Sequence, residues 1–156
     1  MTLTHDPSRE IYAQRTLNAP RELVLKMWSD PQALSNWWGP EGFSTTTHKL
    51  EFKPGGEWTF IMHGPDGTDY TNNIKYKETG PDRIAYSHGG RAEDVVKFEV
   101  EVILTVLEPK KTLMEFRSTF PSAEEKDRVV REFGAEEGLN QTMDRLVRLV
   151  QTEALA

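Results

Sequence analysis

A chain of 156 residues is about the length of one ordinary domain and leaves no room for two well-buried cores. It contains no cysteine, which removes thiol nucleophiles, disulfide frameworks and Cys-ligated zinc and is compatible with the reducing cytoplasm expected for it. Its 25 acidic and 19 basic residues leave a net charge of -6, which repels a polyanion and argues against nucleic acid as a partner.

The opening residues, Met1 to Pro7, have neither a basic patch nor an apolar run, so no secretory signal is expected. No stretch is apolar for long enough to insert into a bilayer. Residues 1–9, with His5 among them, read as a loose tail. Glu10 to Leu17 alternates Ile11, Ala13 and Leu17 with polar neighbours, which predicts a first strand. Pro20 then suits the first turn of a helix with Asn18 as a cap, and Leu23, Val24, Met27 and Trp28 recur at helical spacing through Asp30. Pro31 opens a second short helix that carries Leu34, Trp37 and Trp38 and stops at Gly39-Pro40.

From Phe43 the period becomes two. It is broken by Pro54-Gly55-Gly56, Gly64-Pro65-Asp66-Gly67, Gly80-Pro81-Asp82 and His88-Gly89-Gly90, each of which has turn chemistry. The spacing predicts strands over Ser44–Lys53, Glu57–His63, Thr68–Thr79, Arg83–His88, Val96–Leu107 and Thr112–Phe120. Strands joined without crossover helices form an antiparallel meander.

Residues two apart share a face. The inward series is Trp58, Phe60 and Met62; Ile74 and Tyr76; Ile84, Tyr86 and His88; Phe98, Val100, Val102, Leu104 and Val106; and Met114, Phe116 and Phe120. Lys49, Glu51, Lys53, Lys97, Glu99 and Glu101 fall opposite and belong in water, as His63 does.

Pro121-Ser122-Ala123-Glu124-Glu125 is a capping-box pattern for a helix through Glu132, interrupted at Gly134. A longer helix follows from Ala135 to Gln151, with Leu139, Met143, Leu146, Val147 and Val150 in one apolar stripe that should cover the aromatic face. The expectation is one α+β domain over residues 10–151, a curved antiparallel sheet around a long C-terminal helix, with residues 152–156 as a tail.

Five segments carry a family resemblance: Ala19-Pro20-Arg21-Glu22-Leu23-Val24, Trp28-Ser29-Asp30-Pro31, Trp37-Trp38-Gly39-Pro40, Pro54-Gly55-Gly56-Glu57-Trp58, and Glu137-Gly138 ahead of Asp144-Arg145-Leu146. In that order, over Glu10 to Gln151, the chain resembles the SRPBCC superfamily. More narrowly it resembles the START-like branch of homologues of the activator of the ninety-kilodalton heat-shock chaperone's ATPase. The resemblance implies a helix-grip fold with a cavity between sheet and final helix, and a chaperone as an alternative partner. Those activators carry a further N-terminal domain for which this sequence has no counterpart, so their activity does not transfer by name.

The final helix is small at Ala135, Gly138 and Thr142 and bulky at Leu146, Leu149 and Val150, which leaves space at its start. The expected pocket wall comprises Trp58, Phe60, Met62, Tyr76, Tyr86, Phe98, Val100 and Phe116 from the strands and Trp37 from the second helix. Ala135, Gly138, Leu139, Thr142 and Met143 complete it from the final helix. Gly138 serves equally to let the helix approach the sheet, and Trp37 and Trp38 could form a lid or anchor the short helices to the core. Polar candidates are Ser44, Thr46 and His48 on the second strand, Asn72, and His88, with His48 foremost.

No phosphate loop, metal-binding helix or paired inward carboxylates are present, and the acidic residues Glu93-Asp94 lack calcium-loop spacing. No catalytic residue, metal or cofactor is therefore assigned. The leading expectation is a carrier or sensor of a small hydrophobic or aromatic molecule. The alternatives are the chaperone-associated module and a cyclase or aromatase in which His48 or Tyr86 acts on a reactive chain. An exposed edge strand would permit a homodimer.

Overall fold

Alternation of apolar and polar residues gives each strand one buried and one wet face, and the strands close on one another in sequence order. The computed structural model describes residues 7–89 and 98–155. Its strands are β1 (Glu10–Leu17), β2 (Ser44–Leu50), β3 (Glu57–His63), β4 (Asp69–Thr79), β5 (Arg83–Gly89), β6 (Phe98–Glu108) and β7 (Lys111–Thr119). They form one antiparallel sheet in the order β1-β7-β6-β5-β4-β3-β2. The meander runs uninterrupted from β2 to β7, and β1 pairs with β7 over its whole length, from Glu10 opposite Thr119 to Leu17 opposite Thr112. The helices are α1 (Arg21–Ser29), α2 (Pro31–Trp37), α3 (Ala123–Phe133) and α4 (Ala135–Leu155). This is the α+β helix-grip arrangement, with α4 held against the sheet.

The local chemistry of the helix ends explains where they fall. Pro20 is itself the N-cap of α1, with an extended ψ of 152° and no side-chain cap, so Asn18 does not play that part. The Asp30 carboxylate accepts from the Gln32 amide at 3.0 Å and starts α2, with Pro31 in its first turn. Ser122 Oγ accepts from the Glu125 amide at 3.1 Å, as its capping pattern predicts. Gly134, at φ +61°, ends α3 in the left-handed conformation that only glycine adopts freely, and α4 begins at the next residue. α4 runs to Leu155 rather than ending near Gln151.

Two strands also differ from expectation. β2 ends at Leu50, because Glu51 to Gly56 folds into a turn closed by Lys53 N–H to Glu51 O at 2.9 Å and Gly56 N–H to Lys53 O at 2.8 Å. Val106 was expected inside but is 49% exposed, beside a register shift at the end of β6 where the sheet outruns its cover. The expected strand start at Val96, outward Lys97, the turn glycine Gly90, Glu93-Asp94 and the tail residue His5 all lie outside the described residues.

The core lies between the sheet and the helices. Phe60, Ile84, Val102 and Met114 from the strands, Val24, Leu34 and Trp37 from the short helices, and Leu146 and Val150 from α4 have no solvent exposure. Aromatic edges and faces meet throughout. Trp58 stacks on Phe60 at 3.9 Å, and Trp38 presents an edge to Trp58 at 4.8 Å.

Candidate functional site

The bulky end of α4 is packed to closure by Leu146 and Val150, whereas the small end leaves a cavity of about 230 Å³. Its floor is the sheet: Met62 from β3, Tyr86 and His88 from β5, Phe98 from β6, Phe116 and Ser118 from β7, with Phe120 just beyond and Ile11 from β1. Its roof is the start of α4, through Ala135, Gly138, Leu139, Thr142 and Met143, together with Gly134. Trp38, Gly39 and Pro40 close one side.

Two anchors hold the roof at this height. The Arg145 guanidinium donates to the carbonyls of Gly39 at 2.8 Å, Pro40 at 3.0 Å and Asn36 at 3.1 Å, fixing the α2–β2 loop against α4. Burial lowers its pKa from the usual arginine value, the largest effect on it. Arg15 on β1 reaches Asp144 at 3.1 Å and the Asn140 side chain at 2.9 Å on α4's other flank. A Cβ at Gly138 would sit 3.3 Å from Pro40 Cγ. The close approach that this glycine permits is therefore to the loop, and the sheet is not what it meets.

No side chain lining the cavity is acidic, and none is lysine or arginine. Its polar groups are few. The Thr142 hydroxyl is already spent on the Gly138 carbonyl of its own helix at 2.8 Å. Tyr86 is 2% exposed, and its buried hydroxyl has no hydrogen-bond partner among the described residues. Burial raises its pKa well above the usual tyrosine value, and neighbouring Tyr76 adds to the effect, so the phenol stays protonated.

His88 is partly buried among the rings of Phe98 at 4.8 Å, Phe60 at 6.1 Å, Trp38 at 6.3 Å and Tyr86 at 6.4 Å. Its Nε2 lies 3.1 Å from Asn72 Oδ1, while the Asn72 amide donates to the Tyr70 carbonyl at 3.0 Å. That orientation makes Nε2 the protonated nitrogen and leaves Nδ1 with a lone pair. Burial lowers the imidazole pKa from 6.5 to about 4.

Between pH 6.5 and 4 the unfolded chain binds a proton at His88 that the folded chain does not, so stability is fully present above pH 6.5 and lost as the pH falls toward 4. Because the residue keeps some solvent exposure, the loss is roughly 2 kcal/mol rather than the full value of the shift. Urea titrations of wild type and His88→Phe across that range measure it, and the variant should lose the dependence. Tyr86→Phe removes an unpaired buried hydroxyl and should raise stability by about 1 kcal/mol. Its urea midpoint gives the answer, and a fall would mean that the hydroxyl is hydrogen-bonded.

Several residues expected in the wall lie elsewhere. His48 is exposed at the register shift between Thr47 and Lys49, and Thr46 is exposed and within 2.8 Å of His63 Nε2. Ser44 is exposed as well. The second strand is therefore turned over relative to expectation. Thr45 faces in and donates to the Trp38 carbonyl at 3.1 Å, and Thr47 accepts from the Trp58 indole at 3.0 Å. Trp37 is fully buried core, its indole N–H donating to Met27 O at 3.0 Å, while Trp38 is the one at the cavity. Trp58, Phe60, Tyr76 and Val100 are buried but do not border the space. Asn72 reaches it only through His88. Ile11, Pro40 and Ser118 were not singled out. The Gly39-Pro40 break signalled a loop there, whereas nothing local marks Ile11 or Ser118 as lining a cavity.

A second hollow, of about 220 Å³, lies on the outer face of the sheet. Its charges already face one another: Lys77 to Glu99 at 2.6 Å, Arg117 to Glu10 at 3.5 Å, and Arg83 to Glu101. No helix among the described residues is long and apolar enough to cross a membrane.

Solved structures share this architecture. A protein from Arthrobacter aurescens, solved by NMR, superposes with a TM-score of 0.85 at 26% identity, covering 97% of this chain and 91% of its own. A protein from Nitrosomonas europaea gives 0.84 at 20% identity over 97% and 100% of the two chains. The AHSA1 protein from Silicibacter pomeroyi gives 0.75 at 21% identity over 92% and 99%. No curated protein matches the sequence. The family model described as Activator of Hsp90 ATPase homolog 1-like protein matches residues 18–151, which take in every strand but β1 and the helices from α1 into α4, and the chain belongs to this SRPBCC-type family.

Proposed function

We propose that the chain binds one small apolar molecule in the cavity between the sheet and the start of α4, as a carrier or sensor. The observation that carries this reading is a space of about 230 Å³ whose wall has no charged side chain. Packed interiors have few voids larger than a water molecule. An apolar cavity of about 150 Å³ takes up benzene, so this one has room for one or two rings. Burial of a ring system at about 25 cal/mol per Å² supplies the affinity without an ion pair. Calorimetric titration with naphthalene at neutral pH tests it. Saturable one-to-one binding is expected; its absence at the solubility limit of the probe contradicts the reading.

The family description supports a second reading, an interaction with a heat-shock chaperone. Pull-down of the matching chaperone with a change in its ATP hydrolysis would support it, and no effect on either would remove it.

A further inference from the structure

We infer that the cavity selects neutral hydroxylated ring compounds, phenols or cyclic alcohols, over both hydrocarbons and carboxylates of the same shape. The inference rests on the cavity reading above and narrows it to a ligand class.

Two side chains on one strand supply the polar groups. Tyr86 and His88 are two residues apart on the inner face of β5, their ring centres are 6.4 Å apart, and both line the cavity. The Tyr86 hydroxyl is buried without a partner among the described residues, although nearly all buried polar groups in folded proteins have one. Such a group represents an unmade hydrogen bond on a side chain that lines an apolar space. A ligand oxygen that accepts from it recovers that interaction, and a hydrocarbon cannot.

His88 supplies the complementary half. Asn72 takes the Nε2 proton, so the lone pair on Nδ1 is left to accept. The groups that face the imidazole from the neighbouring elements are Trp38, Phe60, Tyr86, Phe98 and Asn72, none of them charged. A donor and an acceptor on side chains two residues apart along one strand match a hydroxyl, which accepts through its oxygen and donates through its proton. A ketone would use only Tyr86.

The same wall disfavours a carboxylate. With no cation lining the space, a carboxylate would lose its hydration and gain at most one neutral hydrogen bond. Ser118 is the remaining hydroxyl on the floor. It stands in the same row as Tyr86 but two strands away, opposite Val100, which is itself opposite Tyr86. At the usual strand spacing that is about 10 Å, too far for one hydroxyl to meet both.

The test uses three molecules of one shape, naphthalene, 2-naphthol and 2-naphthoate, titrated calorimetrically at pH 7 into wild type and Tyr86→Phe. In the wild type, 2-naphthol should bind about tenfold or more tighter than naphthalene, and 2-naphthoate more weakly than 2-naphthol by at least about tenfold. In Tyr86→Phe, which keeps the ring, the ratio of 2-naphthol to naphthalene affinity should shrink to about threefold or less. 2-Methoxynaphthalene keeps the acceptor but lacks the proton, and should bind wild type more weakly than 2-naphthol. Equal affinities for naphthalene and 2-naphthol in the wild type would overturn this inference and leave the cavity reading standing. So would tightest binding of 2-naphthoate, or an undiminished preference in Tyr86→Phe. Failure of all the compounds to bind would overturn the cavity reading and this inference together.

Discussion

Phe60→Ala should destabilise the fold by about 3–5 kcal/mol, read as the shift in a urea denaturation midpoint at unchanged slope. The ring has no solvent exposure and does not border the cavity. One face lies on Trp58 at 3.9 Å, and the Trp38 ring meets it edge-on at 5.9 Å. Truncation removes those contacts and opens a hole that such large, mutually wedged neighbours cannot collapse to fill. A loss below about 1 kcal/mol would mean that Phe60 borders open space, and the cavity would then extend along β3 beyond Met62. The same substitution at Phe116, which does line the space, should cost less, because one side of that ring already lacks partner atoms.

The second large effect is on binding. Thr142→Phe should weaken naphthalene binding by about 100-fold or more, equivalent to about 2.7 kcal/mol, with the fold retained. Thr142 is in the interior of α4, where phenylalanine is tolerated about as well as threonine, and its side chain faces the cavity. The aromatic ring would occupy space that the ligand needs, while the packing around Leu146 and Val150, a turn or more along the helix, is untouched. Thr142→Phe that folds and binds naphthalene as wild type does would locate the ligand elsewhere. Far-ultraviolet circular dichroism separates this outcome from unfolding.

Much of this architecture could be read from the chain because the signals that specify it are local. Inward aromatics at every second position fixed the faces of β3, β5, β6 and β7. The Ser122 cap fixed the start of α3. Gly134 marked the junction at which α3 ends and α4 begins. The taper of α4 likewise follows from side-chain size alone, Ala135, Gly138 and Thr142 against Leu146 and Val150.

β2 was misread for a physical reason. Ser44 to His48 is a run of polar residues with no apolar alternation to set its phase, and the phase is set instead by long-range bonds from Thr45 to Trp38 and from Trp58 to Thr47. A register shift at His48 then removes that residue from either regular series. Trp58 and Phe60 show a different limit. Alternation says which face a residue occupies but not what covers it along the strand. Trp38, just after α2, packs its ring against these two, whereas Tyr86 and His88 lie under the small end of α4. Trp37 and Trp38 are adjacent and chemically identical. Only the direction in which the chain leaves α2 decides that the first is core and the second is cavity wall. The isolated Tyr86 hydroxyl could not be foreseen at all, because an unmade hydrogen bond is a property of three-dimensional surroundings.

The methyl groups of methionine provide the most direct test of where a ligand goes. The chain has five methionines. Met62 and Met143 line the cavity, while Met27 and Met114 are buried in packed core away from it. With carbon-13 in the methionine methyls, titration with 2-naphthol should shift the Met62 and Met143 resonances along one saturable curve and leave Met27 and Met114 nearly in place. No shift at saturating ligand, or shifts confined to Met27 or Met114, would contradict a binding cavity between the sheet and α4.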